Sequence, residues 1–99
     1  MIAIQPKFKM GAVVATPGAL EVLSENKMSA WSLLSRHLAG DYGSVDEHDR
    51  QANEQAIEDG SRILSAYVLP DQSKLWVITT AADDRGNRES TCVLTPDEY

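Results

Sequence analysis

Both histidines of the chain, His37 and His48, fall in the stretch Arg36 to Ile57 (RHLAGDYGSVDEHDRQANEQAI), together with Asp41, Asp46, Glu47, Asp49 and Glu54. Imidazoles beside carboxylates are the raw material of a divalent-metal site or a general acid/base pair. Their spacing argues against both. His48 and Asp49 are sequence neighbours, about 100° apart around a helix, whereas helical metal pairs sit at i, i+3 or i, i+4. A small enzyme or metal-dependent ligand binder using His37 and Asp41 is therefore the alternative reading. The leading expectation is no catalytic residue, no metal and no cofactor. The serines lie in no G-x-S-x-G turn, no glycine-rich phosphate loop occurs, and Cys92 falls in the middle of an apolar run, where a small buried hydrophobe is the usual role.

A structural role accounts better for the same residues. On a helix beginning at Asp46, the residues Ala52, Ala56 and Ile57 mark an inward side, and Asp46, Asp49 and Asn53 fall on the same half. A polar group buried there without a partner costs about 1 to 3 kcal/mol. The nearest backbone donors lie in the Gly40 to Val45 loop. His37, on the apolar side of the preceding helix, joins as a neutral imidazole that donates from one nitrogen and accepts at the other. His37, Asp41, Asp46, Asp49 and Asn53 thus form an expected structural polar cluster. Opposite them, Glu47, Gln51, Glu54 and Glu58 make an outward stripe, and Glu47, Glu54 and Glu58 are the candidate binding face. Six acids from Asp46 to Asp59 occupy roughly 20 Å of helix, about 3 to 4 Å per charge, comparable to phosphates along one DNA strand.

Composition narrows the function classes. The 99 residues carry a formal charge of −6, with nine scattered basic residues, which disfavours direct binding to nucleic acid or anionic lipid. No apolar run approaches the roughly 20 residues needed to span a membrane. A single cysteine cannot form an internal disulfide, and the start lacks a basic segment followed by an apolar run; the cytoplasm is the expected location.

These residues are positioned by a single α+β domain spanning 1–99, with 1–6 a flexible arm. Lys9 to Ala15 (KMGAVVA) suits a short strand. Thr16-Pro17 starts a helix running through about Ser24, with threonine as cap and proline in the first turn. Ser29 caps a second helix (AWSLLSRHLA) that Gly40 ends, and Asp46 caps a third that Gly60 closes. Beyond Gly60 the pattern shifts to period two. Ile63 to Leu69, Lys74 to Ala81 (KLWVITTA) and Ser90 to Thr95 (STCVLT) read as strands separated by Pro70-Asp71-Gln72-Ser73 and the polar turn Asp83 to Arg88. The expected architecture is three helices on one face of a three-stranded antiparallel meander, with the N-terminal strand at one edge. Tyr67 and Trp76, on facing strands, are expected in the core rather than as an aromatic anchor for a partner.

The segments VVATPGAL, RHLAGDYG, DRQAN, GSRILSAY, LWVITTAADDR and VLTPDEY, in that order, resemble a family of small bacterial proteins sometimes labelled plasmid-related proteins. The resemblance runs from Lys9 to the end. It implies a compact cytoplasmic protein carried by plasmids, prophages or other mobile elements, with no assigned catalytic residues. Tyr42 stands where tryptophan is expected, Ser44 where an acid is usual, and the turn from Asp84 to Ser90 is longer than typical. Charge pattern and resemblance together give the functional expectation of a non-enzymatic acidic protein-binding module with an unidentified protein partner. Its narrower form is an anti-restriction or anti-CRISPR factor that mimics nucleic acid. A structural subunit dimerising through its sheet edge is a further alternative.

Overall fold

The computed structural model describes residues 5–99, so most of the arm expected at 1–6 lies outside the described residues; Gln5 and Pro6 are exposed. The order of elements is β1 (Ala12–Ala15), α1 (Pro17–Glu25), α2 (Ala30–Leu38), α3 (Glu47–Asp59), β2 (Ile63–Val68), β3 (Lys74–Thr79), β4 (Ser90–Leu94) and a 3-10 turn (Pro96–Glu98). None of the helices is long and apolar enough to cross a membrane among the described residues.

Helix starts follow local chemistry. The Thr16 hydroxyl accepts from the Ala19 amide at 3.1 Å, and the Asp46 carboxylate accepts from the Asp49 amide at 2.8 Å. Each satisfies one of the four donors a helix N-terminus leaves free. Ser29 occupies the cap position of α2 with no side-chain cap bond. At the far end of α3, Gly60 takes the left-handed conformation at φ 84°, which a glycine adopts without steric cost. The start of α1 is also tied to the C-terminal turn. Glu98 accepts from Thr16 Oγ1, Gly18 N, Thr95 N and Thr95 Oγ1, and these bonds, that of Thr16 foremost, hold its carboxyl down at about 2.

The strands β2, β3 and β4 form the expected antiparallel meander, but the sheet as a whole is mixed. Its order is β1-β4-β3-β2, and β1 pairs parallel to β4 in the register Val13 to Thr91 and Val14 to Cys92. Three helices and two strands separate β1 from β4 in the chain, the long crossover that a parallel pair needs.

Period-two patterning decides which face is covered. Ile63, Ser65 and Tyr67 of β2, Leu75, Val77 and Thr79 of β3, and Thr91 and Val93 of β4 are all buried on one face. Ala19 and Leu23 of α1 and Leu33 and Leu34 of α2 pack onto it as the main core. Completely burying side chains of this size contributes about 1.5 to 3 kcal/mol each, which makes this layer the main source of stability.

The third helix departs from the expected layering. Rather than lying over the face with the other two, α3 runs along the open edge of β2. Asn53 donates to the Leu64 carbonyl at 2.7 Å and accepts from the Leu64 amide at 3.0 Å, so its carboxamide pairs with the outer edge as a further strand residue would. Two residues on, the Ala66 amide donates to Tyr42 O and the Ala66 carbonyl accepts from Ser44 N at 2.7 Å. A helix side chain and a loop together seal that edge. Beneath them Tyr42, Ala56 and Ile63 form a second, smaller apolar cluster with Phe8, Val45 and Ile57.

Candidate functional site

The outward stripe is at the surface as expected, but its charges are unevenly free. Glu47 is held by Arg50, whose Nε lies at 2.7 Å, and by Gln51 at 3.1 Å. Those bonds, that of Arg50 first, hold the Glu47 carboxyl down at about 2. Glu54 is half-buried and lies 3.5 Å from Lys7 Nζ. Glu58 has no ion pair among the described residues, and Asp59 accepts from Ser61 N at 2.8 Å. The even line of unpaired charges that would copy a DNA strand is therefore not what α3 presents. It presents an acidic surface on which two carboxylates already carry a cation.

His37 is completely buried and both ring nitrogens are occupied: Nδ1 lies 2.6 Å from Ser65 Oγ and Nε2 lies 2.9 Å from Thr79 Oγ1. Thr79 Oγ1 in turn lies 2.7 Å from Thr91 Oγ1, which donates to the Met10 carbonyl at 2.8 Å. A carbonyl can only accept, so Thr91 spends its one hydrogen on Met10. Thr79 must then donate to Thr91, and His37 Nε2 must carry a proton to donate to Thr79. Ser65 completes the series by donating to Nδ1. Burial pushes the His37 pKa down to about 4, so the ring is neutral at pH 7 in the tautomer this relay dictates. Phe8 closes the site edge-on to the ring, with centroids 5.1 Å apart. The serine beside the imidazole is also completely buried, and through Ser65, Thr79 and Thr91 the ring links α2 to β2, β3 and β4.

Asp41 belongs to a different network. It is exposed, paired with Arg36 through Nε at 2.7 Å, and accepts from Gly43 N at 3.2 Å; the Arg36 bond is the main cause of its lowered pKa. The Arg36 guanidinium lies 4.6 Å from the Tyr67 ring centroid, and the Tyr67 hydroxyl donates to the Asp41 carbonyl. The structure thus does not bring His37 and Asp41 together.

The inward placement of Asp46, Asp49 and Ala52 is also corrected, since all three are exposed. Residues 46–52 are exposed right around the first turns of α3, because that part of the helix runs past the elements that cover its later turns. Asp46, His48 and Asp49 offer one ligand atom each within 4.8 Å of one another, all at the surface. Asp46 is already spent as the helix cap, and Asp49 lies 3.7 Å from the His48 ring. Only Asn53 of the inward trio is buried, and its partner is β2 rather than the Gly40 to Val45 loop.

Arg88 has no counterpart among the expected site residues. Its buried guanidinium donates to the carbonyls of Ser61 at 2.7 Å, Thr80 at 3.0 Å and Ala56 at 2.9 Å, gathering the end of α3 and two loops. Burial lowers its pKa, and it lines a groove of about 400 Å³ between Lys7 to Lys9, the end of α3 and the turn from Ala82 to Gly86. Cations and carboxylates both line that groove. The polar turn Asp83 to Arg88 gives no sequence sign that its last residue points inward. Ser65, Thr79 and Thr91 were legible in principle, since period-two alternation puts them on the same strand face as Ile63, Val77 and Val93.

Tyr67 and Trp76 point to opposite faces: Tyr67 is buried under the helices, and Trp76 lies half-buried on the other side against Tyr99, 5.6 Å between centroids. Cys92 shares that second face, partly covered, and burial raises its thiol pKa. Comparison of the chain with family models, with curated proteins and with solved structures found no match.

Proposed function

We propose that this protein is a non-catalytic protein-binding module that meets a basic surface of its partner through α3. The observation that carries this reading is the construction of that helix. Of its thirteen residues only Asn53 and Ala56 are buried, while Glu47, Asp49, Glu58 and Asp59 are exposed. The helix is held by its second half and gives its remaining length to solvent. Acid-rich surfaces of this kind steer basic partners and confer salt-sensitive association.

Two further observations support a binding role over chemistry. His37 is enclosed with both nitrogens engaged, and Asp41 is tied to Arg36 in a separate network. The mobile-element setting implied by the sequence resemblance belongs to the proposal, and with it an anti-defence role. Mimicry of a nucleic-acid strand is the less favoured form, because Arg50 and Lys7 neutralise two of the three stripe acids.

Capture from bacterial lysate tests the proposal, comparing wild type with the Glu47→Lys, Glu54→Lys, Glu58→Lys triple variant at low and high salt. The expected result is a partner retained by wild type at low salt, released at high salt and lost by the variant, with folding intact by circular dichroism. Equal capture by both proteins would remove α3 from the interface.

A further inference from the structure

One face of the sheet is covered by α1 and α2; the other carries no α-helix, only the C-terminal 3-10 turn and Tyr99 over Trp76 and Leu94 at one end. Register places Val14, Cys92, Ile78 and Leu64 in one row across all four strands of the uncovered face, with Trp76 in the next row. Val14 is 49% exposed, and Tyr99, against Trp76, is 72% exposed. Within β2 to β4 the alternation puts one charged residue on this face, Lys74, at the start of β3; the acids Asp97 and Glu98 border it in the 3-10 turn beside Tyr99. In a chain with fifteen acids and a net charge of −6, that depletion sets the face apart from the rest of the surface. A charge-poor centre with aromatic residues is the composition of an interface core.

We propose that two copies of this chain pack through these faces into a sheet-on-sheet dimer. Area is the first argument. Four strands about 4.8 Å apart and about 18 Å long frame a plane of roughly 350 Å². Side-chain relief and Tyr99 add to that plane, so two copies bury on the order of 1,000 Å², the lower bound for a specific interface. Shape is the second, since a twisted sheet packs on another of the same twist with strands about 30° apart, and two identical sheets meet that condition by construction. Charge is the third: α3 packs through Ala56 against Ile63 of the helix-covered face, so pairing the other faces does not press the two acidic helices together. Asn53 and the Tyr42 to Ser44 loop already occupy the β2 edge, so a second sheet cannot add there. The dimer leaves both α3 helices free, so it stands independently of the reading of α3 as a partner surface.

Sedimentation equilibrium from about 5 to 200 μM tests the dimer. Wild type is expected at twice the chain mass in the upper part of that range, and Trp76→Glu is expected to raise the dissociation constant at least 100-fold while keeping the wild-type circular dichroism spectrum. Val14→Lys is the second variant, at a half-exposed site on the outermost strand where folding does not depend on the side chain, and it too is expected to yield the single-chain mass. The charge reversals on α3 should leave the mass doubled. A single-chain mass for wild type throughout would overturn the proposal. So would a dimer that survives Val14→Lys and whichever other face variant folds.

Discussion

Proton uptake by His37 couples the buried relay to stability. Its pKa is near 6.5 in an unfolded chain and about 4 in the fold, so between those values the unfolded state binds more protons and stability falls as pH falls. The contribution is complete above about pH 6.5 and is lost progressively toward pH 4. From pH 7.5 to 5 the loss should be roughly 2 kcal/mol, read as a lower urea midpoint with unchanged slope. A His37→Gln variant should be less stable at pH 7.5 yet nearly flat over the same window. A wild type equally stable at both pH values would show that the ring titrates normally. Asn53 and Asp49 make a second contrast at this scale. Asn53→Ala frees both Leu64 backbone groups and should cost about 1 to 3 kcal/mol, each kilocalorie lowering Tm by about 4 to 8 °C. Asp49→Ala, at an exposed position, should cost no more than about 0.5 to 1 kcal/mol, the value of a helix-start charge. Helical projection places these two residues on the same side. It does not say where along a helix the neighbouring elements stop, and that is why Asn53 was legible as a buried residue and the exposure of Asp49 was not.

Most elements were legible because their boundaries rest on local chemistry: Thr16-Pro17, Asp46 with Gly60, and the switch to period two beyond Gly60. What local pattern lacks is the relation between elements. Nothing within AVVA states that β1 will run parallel to β4, and nothing in α3 states that Asn53 will pair with a strand edge instead of a loop. Both depend on long-range packing, as does the inward turn of Arg88. The loop sealing β2 has its own test in Gly43, which adopts φ +74° with Ala66 O only 2.0 Å from where a Cβ would stand. Gly43→Ala combines left-handed strain with a backbone clash and should cost roughly 2 to 4 kcal/mol. Amide exchange at Ser44 and Ala66 should accelerate with it. An unchanged melting temperature would mean that the loop moves away from β2 at no cost.

At the scale of the whole molecule the surfaces divide by chemistry. A charge-poor sheet face lies on one side, an acidic helix runs along one edge, and a buried polar relay joins the two layers between them. The acidic helix is the central claim, and carboxylate footprinting reads it directly. The captured partner is added to wild-type protein, side-chain carboxylates are converted to amides with a carbodiimide and an amine, and the sites are mapped by mass spectrometry. Binding through α3 should slow modification of Asp49, Glu54, Glu58 and Asp59 several-fold, leaving Glu21, Asp71 and Asp97 unchanged. Protection of those distant acids, with α3 still labelled at the rate of the free protein, would contradict the account.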